Sequence, residues 1–229
     1  MIAVPVAAAD IGSAVAQIEK ANAVADMIEL RLDYLKELGS KDLERLIKKC
    51  GKPVICTCRR MEEGGRFMES ETKRIAVLKN CVKLKADYVD LEFETGAEQK
   101  KKFFEYAKKH KSKIILSKHY FGHTPQFEDL LKLMLRMQKE KPDVIKIVAK
   151  ANSHEDNKIM FELLKEAKRR GIKLIAFCMG SIGRDSRILS MPLGGFLTFA
   201  SLEKGGESAD GQIPIEEMKK IYSGLRVMF

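Results

Sequence analysis

The chain has 229 residues, 45% of them hydrophobic and 32% charged, enough to bury one substantial domain without disulfides or a metal and unlike a disordered chain. No apolar run approaches the roughly 20 residues that span a bilayer, and the opening MIAVPVAAAD has neither the basic stretch nor the long apolar core of a secretion signal, so a cytoplasmic protein is expected. A net charge of +10 invites nucleic acid, but the lysines are scattered over segments such as 100–113 and 165–173, with no zinc-finger spacing, aromatic RNA-binding motif or basic tail. The excess charge reads as solvated helix faces that also draw in a small anion. The five cysteines are odd in number and lack CxxC spacing, which predicts free thiols; Cys56 and Cys58, two apart, share one face of a strand.

Taken in chain order, eight short apolar runs stand out, at 2–7, 27–32, 53–58, 88–93, 113–118, 143–148, 173–179 and 194–199. Most are near-continuous in Val, Ile and Leu, as parallel strands covered on both faces are. Between them, segments such as 13–25 and 158–171 carry apolar residues at three- and four-residue spacing, the pattern of amphipathic helices. Ser40 and Ser153 suit helix N-caps, and Gly51 and Gly171 fall where helices should end. Strand and helix alternate through the whole chain, with no Pro/Ser-rich linker to divide it. The expected fold is α/β, a (β/α)8 TIM barrel forming a single domain over 1–229. An open doubly wound sheet would put a glycine-rich phosphate turn after the first strand, where AAADIGSA holds a single Gly.

In such a barrel the chemistry collects at the C-terminal ends of the strands. Those ends hold Glu29 and Arg31, Arg59 with Glu63-Gly64-Gly65, His119, Lys146, Arg187 after the seventh strand, and Ser208 to Gln212 after the eighth. Two acids, three arginines, a histidine and a lysine, with few acidic neighbours, suit a small polyhydroxylated carboxylate. Lys146 lies in D-V-I-K-I-V on the sixth strand; a closed barrel has no edge, so this lysine points inward, where burial and neighbouring cations favour a neutral, nucleophilic amine. His119 ends the strand before it and is placed to shuttle protons near neutral pH, whereas His110, His123 and His154 read as structural or exposed. Glu63 either orients that imidazole or is a surface carboxylate. Arg187 offers the forked geometry that grips carboxylates, while Arg184 fits better as a surface residue paired with Asp185. The stretch 203–212, with three glycines, is either a lid or a plain flexible loop.

Six pieces in this order, E-L-R-L-D (29–33), T-C-R with E-G-G (57–65), S-K-H-Y-F with T-P (117–125), I-K-I (145–147), M-x3-G-x2-S-R (179–187) and S-A-D-G-Q (208–212), resemble the type I 3-dehydroquinate dehydratases over the whole chain. The resemblance implies dehydration of 3-dehydroquinate to 3-dehydroshikimate in the shikimate route to aromatic compounds, without metal or organic cofactor, by a homodimer. It assigns Lys146 as the Schiff-base lysine, His119 as general acid/base and Glu63 as its carboxylate partner. Arg187 becomes the substrate-carboxylate clamp, Ser208 and Gln212 the lid contacts, and Glu29, Arg31 and Arg59 the group around the ring hydroxyls; Met179 and Phe121 become pocket walls. The chain departs from the family in having no hydroxyl from Val4 to Ala9, where a substrate-contacting Ser is often found, and in carrying Phe177 where Met is common. A class I aldolase would share the lysine. The Arg187 and S-A-D-G-Q pairing, and a histidine one strand before the lysine, set this chain apart from one.

Overall fold

Val, Ile and Leu build strands β1 (Ile2–Val6), β2 (Met27–Arg31), β3 (Val54–Thr57), β4 (Tyr88–Glu92), β5 (Lys113–Tyr120), β6 (Val144–Lys150), β7 (Leu174–Met179) and β8 (Thr198–Phe199) in the computed structural model, which describes residues 1–228, and side chains through 225. Phe229, the last residue of the expected domain, lies outside the described residues. Helices α1 (Ile11–Val24), α2 (Ser40–Lys49), α3 (Glu71–Lys83), α4 (Ala97–Lys109), α5 (Phe127–Lys139), α6 (His154–Arg169), α7 (Arg184–Leu189) and α8 (Ile215–Met228) alternate with them. All strand pairs are parallel, in the order β7-β6-β5-β4-β3-β2-β1-β8. One domain results, a nearly closed eight-stranded barrel ringed by helices. None of the helices among the described residues is long and apolar enough to cross a membrane.

Local chemistry sets the element ends. The Asp10 carboxylate accepts the Ser13 backbone N–H at 2.9 Å to cap α1, and the Ser153 N–H donates to Asp156 at 3.0 Å at the start of α6. Gly171, at φ +70°, follows α6 in the left-handed conformation that glycine adopts without steric cost. Ser40 is not a cap: it is the first residue of α2, and Gly39 holds the capping position. The last strand is also shorter than the apolar run 194–199 suggests. Gly194 takes φ +99°, and Gly195 packs where a Cβ would meet the Ser190 carbonyl oxygen at 2.7 Å, so the chain is still turning there and only Thr198–Phe199 join the ladder. No ladder joins β7 to β8 among the described residues; the Phe196 N–H, just before β8, donates to Leu174 O at 2.8 Å.

Alternation along each strand sends every second side chain into the barrel. At the N-terminal end Ala3, Met27, Ile55, Ile115, Val144, Ile175 and Leu197 form an apolar plug. Two residues further along the strands the inward positions become Glu29, Thr57, Asp90, Ser117 and Lys146, and two further again Arg31, Arg59, Glu92 and His119. The outward residues of β1 to β4 pack under α1 to α4, and those of β5 to β7 under α5 and α6. Cys56 and Cys58 belong to this outer layer, and all five cysteines are free thiols. An apolar floor beneath a polar mouth is what places chemistry at the C-terminal face.

Candidate active site

The polar mouth opens into a cavity of about 310 Å3 lined by Glu29, Arg31, Arg59, Glu63, His119, Lys146, Arg187, Ser208 and Gln212, with Phe121, Phe177, Met179 and Phe199 as apolar walls. At its base sits Lys146, 5% exposed, with the ammonium 4.6 Å from the centre of the Phe199 ring. Its nearest charged neighbours are acids: Asp90 Oδ2 at 3.0 Å and Glu29 Oε1 at 3.7 Å. That corrects the expectation of neighbouring cations. The arginines are close but already committed, Arg59 to Asp90 at 2.7 Å and Glu92 at 2.9 Å, and Arg31 to Asp33 at 2.8 Å.

Asp90 is the hub of this network. Besides Lys146 and Arg59 it accepts the Ser117 hydroxyl at 2.6 Å, and Ser117 in turn accepts Arg59 Nη1 at 2.8 Å. Burial pushes the Asp90 carboxyl up, but the adjacent Arg59 and Lys146 outweigh it and hold the group well below the usual carboxylate range. Glu92 extends the chain outward to Arg74 on α3, which also binds Glu71, Thr95 Oγ1 and the Cys58 carbonyl. Each charge is paired, as buried charges must be, and removing one member strands another at a cost of about 3–5 kcal/mol.

His119 projects into the cavity one inward position beyond Ser117, the residue in register with Lys146. It is tied to Glu63 twice: Nδ1 lies 2.9 Å from Oε2, and the His119 backbone N–H donates to the same oxygen at 3.1 Å. Burial, helped by Arg59 and Lys146, holds the imidazole well below its ordinary titration range, so it is neutral at pH 7. Burial likewise raises the Glu63 carboxyl, to about 7. Glu63 ends a 3-10 turn, Met61–Glu63, that is closed by Gly64 at φ +74°. A Cβ at Gly64 would strike the Phe121 ring at 2.2 Å, and this glycine lets Phe121 lie over His119 with ring centres 6.3 Å apart.

In the same cavity, Arg187 is 1% exposed, stacks 4.5 Å from the Phe177 ring and donates Nη2 to the Asp210 carbonyl at 3.1 Å; its buried Nε has no hydrogen-bond partner among the described residues. Burial lowers its pKa to about 10, which still leaves it cationic. Arg184 pairs with Glu217 at 2.9 Å across to α8, correcting the expected partner Asp185. Ser208 and Gln212 hold each other, Ser208 N–H to Oε1 at 2.9 Å and Gln212 Nε2 to the Ser208 hydroxyl at 3.2 Å. Gly211, at φ +77°, turns this segment against β7, where a Cβ would sit 2.2 Å from the Gly180 carbonyl oxygen. The Tyr34 hydroxyl donates across the mouth to the Ser208 carbonyl at 3.3 Å.

A buried lysine beside carboxylates, a neutral histidine held by a carboxyl group and a half-satisfied arginine together suit covalent and proton-transfer chemistry on a small carboxylate. The family model of type I 3-dehydroquinase matches residues 2–228. The chain belongs to that family.

As a type I 3-dehydroquinase it is a hydro-lyase, a 3-dehydroquinate dehydratase. It is 38% identical over 221 residues to the 3-dehydroquinate dehydratase of Thermococcus gammatolerans, covering 96% of this chain and 97% of that one. With the enzyme of Desulfotalea psychrophila it shares 35% over 199 residues, 87% of each chain. The solved type I 3-dehydroquinate dehydratase of Clostridium difficile, carrying covalent modified comenic acid, superposes with a TM-score of 0.91 at 25% identity, covering 100% of this chain and 92% of that one. All nine candidate residues of this 3-dehydroquinase line the one cavity. The sequence left out Asp90, Glu92, Ser117, Thr57 and Arg74, although two acids at alternate positions of the buried run Y-V-D-L-E-F signal inward-pointing charge.

Proposed function

We propose that this cavity dehydrates 3-dehydroquinate to 3-dehydroshikimate through a Schiff base on Lys146, as a step of the shikimate route to aromatic compounds. Once its ammonium proton has been released to solvent, Lys146 Nζ attacks the ketone carbon, and the carbinolamine hydroxyl takes up a proton and departs as water to leave an iminium. The iminium draws electrons from the adjacent C–H bond. With Nδ1 engaged by Glu63, His119 Nε2 takes that proton, giving an enamine. The enamine expels the hydroxyl group, which leaves as water with the proton His119 returns. Hydrolysis then frees the conjugated ketone and Lys146. The reading is carried by one observation, the convergence of Lys146, the Glu63–His119 pair and Arg187 on a single cavity.

The substrate carboxylate pairs with Arg187 Nε, whose buried N–H is otherwise unpartnered. Glu29, Arg31 and Arg59 face the ring hydroxyls, and Ser208 with Gln212 closes over the bound acid. Glu29 is oriented by the Thr57 hydroxyl at 2.8 Å, and Asp90 keeps a compensating charge beside the lysine nitrogen through the cationic iminium stage. No metal or organic cofactor takes part in this scheme. A homodimer, as the family resemblance implies, acting in the cytoplasm completes the proposal.

Borohydride added during turnover should fix a mass increment on the peptide containing Lys146; a fully active enzyme whose Lys146 peptide stays unlabelled would exclude the covalent route. Arg187→Ala should raise KM for 3-dehydroquinate by roughly 10- to 100-fold, the loss expected for a charge-assisted hydrogen bond of about 1.5–3 kcal/mol. Steady-state kinetics with an unchanged KM would move the clamp elsewhere.

A further inference from the structure

We infer that Lys118 is a positioning residue for this chemistry: from outside the barrel it holds Glu63 as a carboxylate beside His119. The inference rests on the assignment of His119 as the base. Lys118 is next to His119 on β5, and by strand alternation its side chain leaves on the other face. There its ammonium lies 3.9 Å from Glu63 Oε1 and 3.4 Å from Glu94 Oε1. Glu63 Oε2 is taken up by His119, whereas Oε1 is buried and lacks any hydrogen-bond partner among the described residues. An unpartnered oxygen of a buried carboxyl faces a cation slightly beyond direct contact, a gap that one water or a small side-chain shift can close.

Lys118 is one of two cations acting on Glu63. Arg59, on the β3 side, also favours the Glu63 carboxylate, and more strongly, but its Nη groups are bonded to Asp90 and Glu92 of β4, acids that themselves repel a charge on Glu63. Among the described residues, Lys118 is the cation that lies within 4 Å of the unpartnered Oε1. His119 on β5 is neutral. Lys118 also pairs with Glu94, whose side chain is 53% exposed and partly screened by solvent, and its ammonium lies 5.7 Å from the centre of the Tyr120 ring. Because burial places Glu63 near 7, a modest field decides whether it is ionised at working pH. The outcome matters for His119. An ionised Glu63 accepts the Nδ1 proton and stabilises the imidazolium formed when Nε2 takes the substrate proton; a protonated Glu63 can still accept from Nδ1 through Oε2 but supplies no full negative charge to that imidazolium.

Glu94 competes for Lys118, so two substitutions outside the cavity should act with opposite sign. In Lys118→Gln, Glu63 loses its nearest cation and should titrate higher, by on the order of one pH unit. In Glu94→Gln, Lys118 is released to Glu63 and a nearby negative charge is gone, so Glu63 should titrate lower. The measurement is the carboxyl-carbon NMR titration of Glu63 in the free enzyme, assigned with Glu63→Gln, together with the acid limb of kcat/KM against pH. Lys118→Arg should restore the wild-type midpoint. A Lys118→Gln protein that titrates as wild type, or two variants that move in the same direction, would overturn the inference. The NMR midpoint does not depend on turnover. Failure of the His119 assignment would instead appear as near-normal turnover in His119→Ala, whatever Lys118 does.

Discussion

Replacing Lys146 with alanine should reduce kcat by on the order of 10⁵-fold, the scale seen when a covalent nucleophile is deleted. The fold should survive the change at a cost in stability. Asp90, the lysine's closest partner, keeps hydrogen bonds from Arg59 and Ser117, whereas buried Glu29 loses the ammonium 3.7 Å away and keeps the Thr57 hydroxyl, so the melting temperature should fall. Lys150 also lines the cavity, but it is exposed and stands four residues further along β6, roughly 13 Å at 3.3 Å per residue, so it should not replace Lys146. The assay follows ultraviolet absorbance of the conjugated enone, with melting temperature as the control for folding. Turnover within tenfold of wild type would show that the lysine is not the nucleophile and would remove the proposed mechanism.

The second large effect belongs to His119. Its conversion to alanine should slow elimination by about 10²- to 10⁴-fold, the usual contribution of a positioned acid/base. Imine formation should persist, since Lys146 keeps its surroundings. Borohydride should therefore still label the Lys146 peptide in a variant that scarcely turns over. In the wild-type enzyme the pH profile should carry one acid limb near neutrality. His119, held well below its ordinary range by burial, is already neutral there, while Glu63, raised to about 7, is still losing its proton. Activity rises with pH through that limb, because the ionised carboxylate is the form that supports imidazolium. Near-normal elimination in His119→Ala would reassign the base.

Much of this was legible in the sequence for a simple reason. Strands buried on both faces must be apolar nearly throughout, so eight such runs declare the barrel, and every charged residue inside or ending one is conspicuous. Lys146 within D-V-I-K-I-V and His119 after I-I-L-S-K stand out this way. The missing parts are those that depend on pairing across strands. Asp90 lies in a run taken for its apolar residues, and only the register of β4 against β5 and β6 brings it beside Lys146 and Ser117. Arg59 looks free to meet a ligand until Asp90 and Glu92 are found on either side of it. The partner of Arg184 is not legible in the sequence because Glu217, 33 residues away, becomes its neighbour only when α8 folds back over α7. The short β8 was hidden by Gly194 and Gly195, whose conformations no apolar pattern records.

The gap between β7 and β8 gives Arg187 a double allegiance. Its backbone carbonyl accepts the Thr198 hydroxyl of β8 at 3.0 Å, while its guanidinium stacks on Phe177 of β7. One residue thus buckles the barrel where the ladder is interrupted, and the same residue offers an N–H to an incoming acid. In the proposed complex an anion held at that N–H would add a contact at this junction, so 3-dehydroquinate should raise the melting temperature of the enclosure as well as occupy it.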